Sequence, residues 1–147
     1  MGAYKTKCIF YSFMILAGGA MGIAAFFMVW ESYGILSLTG YEITREFTTY
    51  GAAYINWMPL IALMAAVSIT IAGLVAVLRP NRGIGWGVVI SGIIVAAAAI
   101  IFYLYTDGAF HMSNYVGTGV YLALTAGMLV VLFGILRLTA KEKCCSP

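Results

Sequence analysis

The sequence predicts an all-α integral membrane protein: a bundle of four transmembrane helices with a small extracytoplasmic cap between helices 1 and 2. The 147 residues are 63% hydrophobic and only 9% charged, whereas soluble domains are about one quarter charged. The mean hydropathy is +1.01. A water-soluble fold of this size leaves much of its area exposed, so this much apolar surface indicates a lipid environment.

The apolar residues fall into four long runs, which supply the second observation behind this fold class. The runs are 9–30, 58–78, 84–105 and 116–136, and none contains Asp, Glu, Lys, Arg or His. As a helix each rises roughly 32 Å, enough for a hydrocarbon core of about 30 Å. Helices are required because unpaired backbone groups in lipid cost several kcal/mol each. The sequence therefore predicts one four-span membrane domain over residues 1–147.

Basic residues predict the orientation of the spans. Seven of the eight Lys and Arg lie before the first span, between the second and third, or after the fourth: Lys5, Lys7, Arg79, Arg82, Arg137, Lys141 and Lys143. The positive-inside rule makes that side cytoplasmic. We expect a multi-pass protein of the cell (plasma) membrane with both termini cytoplasmic, outer loops 31–57 and 106–115, and a cytoplasmic tail 137–147.

Small residues at helical spacing predict how the spans contact each other. Membrane helices associate by close packing over such residues rather than by the hydrophobic effect. The predicted packing residues are Gly18, Gly22, Gly85, Gly92, Ala96, Gly119, Ala123 and Gly127. They favour a closed bundle, although one of these faces is also suited to a partner helix.

The segment 31–57, which we call the outer cap, is long for a connection between helices. Its stretches "YGILSL" and "YEITRE" flank Thr39-Gly40. Thr, Tyr and Ile favour strands, and a two-residue turn containing Gly suits a β-hairpin. The alternative is that "EITREFTTY" forms a short interfacial helix with Ile43 and Phe47 on one face. The hairpin is favoured, and both interpretations stay open.

Energetics predict where the outer cap lies and what orders it. A charge at the bilayer centre costs about 2.5–3.5 kcal/mol, so Glu31, Glu42, Arg45 and Glu46 belong outside. Ordering the segment costs about 1–2 kcal/mol per residue in backbone entropy. We expect contact with the second outer loop to order it. Packing of its apolar residues on helix ends, on that loop or on a partner should offset the entropy: Ile35, Leu36, Leu38, Ile43 and Phe47.

A small outer β-element on a four-helix bundle resembles the claudin-like tetraspan architecture. Trp30 followed by "GIL" is similar to the tryptophan and glycine-leucine-tryptophan pattern of the first loop in that family. The second tryptophan and the paired loop cysteines are missing here. The resemblance covers topology only and carries over no functional residue, and the chain is equally similar to many small four-span prokaryotic membrane proteins.

Side chains with catalytic or metal-binding chemistry are sparse. The spans hold no ionisable residue, which argues against a proton path. His111 is the only histidine, and a catalytic zinc normally takes three protein ligands. No nucleophile–base pair, phosphate loop or basic stripe with interleaved aromatics occurs. We therefore expect no enzyme activity, no cofactor, no metal site and no nucleic-acid binding.

The expected function is association with other proteins. The outer loops concentrate Tyr, Thr and mixed charge, and aromatics are enriched at interaction sites. We expect an accessory subunit or a self-assembling, tetraspan-like component in the lipid bilayer, with a protein partner or as a homo-oligomer. The candidate partner-binding residues are Tyr33, Tyr41, Glu42, Arg45, Phe47, Phe110 and His111.

The alternative function is a small transporter or channel for an apolar solute or a metal ion. Its motivation is a set of hydroxyl side chains in otherwise apolar spans: Ser12, Ser68, Thr70, Ser91 and Thr125. The competing explanation is that such hydroxyls donate to a backbone carbonyl of their own helix.

Overall fold

The computed structural model describes residues 2–33, 35–46, 55–78, 82–110 and 116–140. Along the chain, a long helix is followed by two short strands, a short helix and three further long helices. These elements are α1 (Gly2–Phe27), β1 (Val29–Tyr33), β2 (Leu36–Thr39), α2 (Gly40–Glu46), α3 (Met58–Leu78), α4 (Arg82–Phe110) and α5 (Thr118–Thr139), with a 3₁₀ turn (Ile55–Trp57) before α3.

The predicted fold class is confirmed. Helices α1, α3, α4 and α5 are long and apolar enough to cross a membrane. The two strands pair antiparallel as a small hairpin between the first two of these helices. The chain is therefore a multi-pass membrane protein whose apolar helices contact a lipid bilayer.

The four long helices form a closed ring. Helix α1 packs against α3 and α5, and α4 packs against the same two helices. Fully buried aliphatic side chains from all four helices fill the centre: Ile15, Ile69, Val95 and Val130. Each span thus has two neighbours, and large apolar side chains such as Phe13 and Met64 face outward, where lipid covers them.

Backbones approach closely where glycines face a neighbouring helix. A Cβ built on Gly22 lies 2.8 Å from the Cβ of Ala66. A Cβ built on Gly127 lies 2.8 Å from the backbone nitrogen of Ala96. Both distances are too short for a real side chain, so these contacts between α1 and α3 and between α4 and α5 require glycine.

The ends of the first and last helices differ from the predicted spans. Helix α1 ends at Phe27, three residues before Trp30, because the N–H of Met28 donates to Ala25 O at 3.1 Å and closes the last turn. Trp30 instead belongs to β1. At the other end of the chain, α5 continues past Leu136 to Thr139 and therefore includes Arg137.

Candidate functional site: the outer cap

Trp30 anchors the outer cap in the bundle. Its side chain is 0% exposed, and its indole N–H donates to Ala25 O at 2.7 Å. The ring meets Phe102 of α4 edge-on, with centroids 5.2 Å apart. Gly119 of α5 and Gly40 of α2 lie against the indole, where built Cβ atoms come within 3.0 Å of it. One side chain of β1 therefore contacts α1, α2, α4 and α5.

The hairpin turn lies earlier than predicted. The register pairs Tyr33 with Leu36 and Ser32 with Ser37, so the turn falls between Tyr33 and Leu36. Thr39-Gly40, predicted as the turn, is instead the junction between β2 and α2. The hairpin is confirmed, but the pairing of "YGILSL" with "YEITRE" is wrong. The physical reason is that the burial of Trp30 fixes the backbone around it, so the first strand is formed by residues 29–33.

A capping box explains why a helix begins at Gly40. The carboxylate Oε2 of Glu42 accepts from the backbone N–H of Thr39 at 2.8 Å and from its hydroxyl at 2.9 Å. The N–H of Glu42 donates back to the Thr39 hydroxyl oxygen at 3.3 Å. These bonds satisfy amides that the first turn of a helix leaves without intrahelical acceptors. The alternative of a short helix over "EITREFTTY" is thus correct for residues 42–46, while residues 47–50 lie outside the described chain.

The same bonds set the protonation of Glu42. The backbone hydrogen bond from Thr39, followed by its hydroxyl bond, lowers the pKa of Glu42 below the ordinary value of 4.5, against a smaller opposing effect of desolvation. Hydrogen bonds donated to a carboxylate favour its charged form. Glu42 is therefore ionised at neutral pH, and its carboxylate accepts hydrogen bonds from Thr39 at the start of α2.

Two residues that precede α5 join the hairpin. Val116 forms an antiparallel bridge with Glu31, and the N–H of Gly117 donates to Trp30 O at 2.9 Å. A Cβ built on Gly117 would overlap Val29 O, so the close approach needs glycine. Val116 and Gly117, which the sequence assigned to the start of the fourth span, thus lie on the edge of β1 opposite β2. Residues 111–115 of the second outer loop lie outside the described residues, so the expected contact between the two outer loops stays a prediction.

Apolar residues of the outer cap divide into buried and exposed groups. Ile43 is 7% exposed, and Leu38 packs against the buried core. Ile35 is 101% exposed and Leu36 66%, so neither packs on the helix ends, and packing of these two side chains on a partner stays a prediction. The reason for their exposure is that both residues lie at the turn end of the hairpin, whereas Trp30, at its other end, is the side chain that inserts into the bundle. Phe47 lies outside the described residues.

The described candidate partner-binding residues are divided among α2, β1 and α4. Tyr41 is 48% exposed on α2 and meets Phe26 edge-on, with ring centroids 6.4 Å apart. Arg45 is exposed near the end of α2, while Glu42 is used in the capping box. Tyr33 ends β1 and Phe110 ends α4. His111 and Phe47 lie outside the described residues.

The candidate packing residues lie on α1, α4 and α5, and the glycines among them face neighbouring elements. Built Cβ atoms on Gly18 and Gly92 meet Val130, that on Gly85 meets Leu138, and that on Gly119 meets Trp30. Ala123 is buried, and Ala96 meets Gly127. These small residues therefore serve contacts within the bundle.

Two residues at the opposite end of the bundle form bonds that the sequence did not predict. Arg137, assigned to a cytoplasmic tail, is only 8% exposed, and its Nη2 donates to Ala76 O of α3 at 3.4 Å. A cation near the carboxyl end of a helix is favoured by the helix dipole. Cys8 is disulfide-bonded, and both other cysteines of the chain, Cys144 and Cys145, lie outside the described residues.

Comparison with known proteins adds no relative. No family model, curated protein or solved structure matches the chain. Among the described residues, no group of three or more His, Cys, Asp or Glu is placed to hold a metal ion.

Proposed function

We propose that this protein is a non-catalytic membrane component that binds other proteins through its outer cap, as an accessory subunit or as a self-assembling tetraspan. In this proposal the outer cap faces the outside of the cell membrane and both termini are cytoplasmic. The excess of Lys and Arg at the opposite side of the spans supports that orientation.

One observation carries the proposal: the outer cap is held in place, yet it presents apolar side chains outward. Trp30 and Gly117 tie the start of the cap to the bundle by the hydrogen bonds given above, and the bonds between Glu42 and Thr39 fix the start of α2 within the cap. Ile35 and Leu36 nevertheless stand exposed at the hairpin tip, beyond the span that ends at Phe27. Apolar groups displayed on an ordered scaffold outside the hydrocarbon core are typical of interaction sites.

The helix faces contribute less to the proposal than the sequence led us to expect. The predicted small residues pack inside the bundle, so they are not available to a partner. A different pair, Ala20 and Ala24 on α1, faces outward at a spacing of four. This pair supplies the matched control for a cap-mediated contact.

The transporter alternative has no specific observation in its favour. Four of its five hydroxyls donate to a carbonyl of their own helix at 2.9–3.0 Å: Ser12 to Cys8, Ser68 to Met64, Thr70 to Ala66 and Thr125 to Tyr121. This is the competing explanation given above. Solute flux in proteoliposomes remains the assay for that alternative.

The test measures the mass of the particle extracted from its membrane in native lipid nanodiscs. We expect particles heavier than one chain, and we expect the double variant Leu36→Ser, Tyr41→Ser to reduce them to one chain. The control Ala20→Leu, Ala24→Leu changes the lipid-facing side of α1 and should keep the native mass. Single-chain particles from the unaltered protein would overturn the proposal.

A further inference from the structure

We propose that β2 pairs antiparallel with β2 of a second copy in the same bilayer, with Ser37 opposite the partner's Ser37 across a two-fold axis. The inference rests on the proposed function, in which the outer cap binds protein, and it names the partner. The contact is made by the backbone N–H and C=O groups of β2 and does not depend on the candidate partner-binding side chains named above.

Two hydrogen bonds establish which way the backbone of β2 points. The N–H of Gly40 donates to Met28 O at 3.3 Å, toward the β1 side. The N–H of the preceding residue, Thr39, donates to the Glu42 carboxylate at 2.8 Å and so points away from β1. Successive residues of a strand alternate in this direction. Ser37, two residues before Thr39, therefore directs both its N–H and its C=O away from β1.

The edge of β2 that faces away from β1 has no strand beside it among the described residues. In the described part of the chain β2 pairs only with β1, whereas the far edge of β1 is occupied by Val116. Ser37 and Leu36 are exposed. An unpaired edge with outward donors and acceptors is a template for another strand.

The donor and acceptor of Ser37 are self-complementary. A copy related by a two-fold axis offers the matching acceptor and donor, so a single residue supplies both hydrogen bonds of an isologous contact. The axis of an antiparallel pair is perpendicular to the sheet. Trp30 inserts from β1 between α1, α4 and α5, and the proposal takes the sheet to lie over this end of the bundle, so that the axis runs along the membrane normal. Rotation about the normal is the relation that two copies in one bilayer can adopt.

The side chains beside Ser37 fit this register. Leu36 faces the partner's Leu38, and Ile35 faces the partner's Thr39, so the most exposed apolar groups of the outer cap become covered. Two backbone hydrogen bonds and a few side chains remain far below the ~1,200 Å² of a stable interface in solution. The pairing therefore depends on the high local concentration that one bilayer imposes, and it dissociates in dilute detergent.

Cysteine cross-linking in liposomes tests the register. In a background with Cys8, Cys144 and Cys145 replaced by Ser, we compare Ser37→Cys with the matched control Ser32→Cys, its neighbour on β1. A hydrogen-bonded antiparallel pair places Cα atoms about 5.5 Å apart, within disulfide range. The two Ser32 positions would lie three strand spacings apart, ~14 Å. We expect at least tenfold more oxidised dimer for Ser37→Cys; no dimer, or equal dimer at both positions, overturns the pairing.

A second variant removes the donor without a new thiol. Ser37→Pro deletes an N–H that β1 does not use, and proline is accepted at a strand edge. Energy transfer between two fluorescently tagged populations, mixed in one liposome, should fall to the level of random encounters while the unfolding temperature stays unchanged. Unaltered transfer overturns the pairing. If a different protein binds in a cap-dependent way while these tests fail, the proposed function stands and only this inference falls.

Discussion

The indole N–H of Trp30 donates to the carbonyl oxygen of Ala25, five residues earlier in the chain, at 2.7 Å. The same oxygen accepts the N–H of Met28. A residue of the first strand thereby closes the helix from which that strand emerges. Because the ring also contacts Phe102, this bond ties the end of α1 and the outer cap to the centre of the bundle.

Replacing Trp30 should destabilise the protein through lost packing. Trp30→Ala removes a large, fully buried side chain, and such substitutions cost about 3–5 kcal/mol. Trp30→Phe retains much of the ring but loses the indole bond, so about 1 kcal/mol is expected for that loss. Equilibrium unfolding in detergent micelles measures both. Trp86→Phe, at a side chain that is 61% exposed, is the control and should change little; equal effects at Trp30 and Trp86 would contradict the anchoring role.

Two glycines should respond in opposite directions to the same substitution. A Cβ on Gly119 lies 2.6 Å from Cδ1 of Trp30, so Gly119→Ala overpacks the core and should cost about 1–3 kcal/mol. A Cβ on Gly87 meets nothing within 4 Å. Gly87→Ala should therefore be neutral or stabilise the helix by up to about 1 kcal/mol. The unfolding midpoints of the two variants measure these changes in stability. A similar loss of stability at both positions would refute the described packing of α5 on Trp30.

Acidification should release the start of α2. The pKa of Glu42 is lowered in the folded state. The contribution of its carboxylate to the stability of the fold is therefore complete above the ordinary pKa of 4.5 and is lost as pH falls through the lowered pKa. Amide exchange of residues 40–46 measured between pH 7 and pH 3 should show this loss of protection. Glu42→Gln, which has no charge to lose, should remove the pH dependence specific to this bond. A native-like pH profile in that variant would count against the capping box as its source.

The hydroxyl partner of that bond gives a pH-independent version of the test. Thr39→Ala removes the side chain that caps α2 and should cost about 0.5–2 kcal/mol. Thr39→Ser keeps the hydroxyl and should retain most of the stability. Exchange protection of α2 at pH 7 distinguishes the two variants, and equal protection would show that the hydroxyl contributes nothing to the helix.

The orientation proposed for the spans should be visible by labelling. A membrane-impermeant thiol reagent applied to intact cells should modify Ser37→Cys on β2 but not Lys7→Cys near the start of α1, each introduced without the native cysteines. Both positions are exposed, so accessibility alone does not separate them. The reverse pattern would mean that the basic segments face outward.

The state of Cys8 gives an independent check on orientation. Cys8 is disulfide-bonded, whereas disulfides persist mainly in oxidising compartments. If this end is cytoplasmic, alkylation in living cells before lysis should find the Cys8 thiol reduced, with oxidation following extraction into air. Mass spectrometry of the alkylated peptide measures this. A Cys8 that is already oxidised in the cell would place this end of the bundle on the oxidising side.

The four spans were predictable because their signal extends over whole helices. A long apolar run can form all of its backbone hydrogen bonds in lipid only as a helix. Tertiary contacts therefore do not change the assignment of these runs as helices. The start of α2 was also visible in principle: Thr39 with Glu42 three residues later is a capping-box pattern. The prediction of a turn at Thr39-Gly40 overlooked it.

The remaining differences depend on contacts between distant residues. Nothing local distinguishes Trp30 as a membrane-boundary aromatic from Trp30 as a buried anchor, because its burial needs Phe102 and Gly119. The exposure of Ile35 follows from that anchoring. Arg137 is similar: a basic residue at the end of a span predicts a cytoplasmic flank, and its bond to Ala76 arises only when α5 packs beside α3.

Only Met28 separates α1 from β1, and Gly117 alone separates the bridge residue Val116 from α5. Neither junction leaves a slack linker. We therefore expect a tilt or rotation of α1 or α5 to move the hairpin with it. A partner that holds the outer cap would therefore also hold the adjoining ends of α1 and α5.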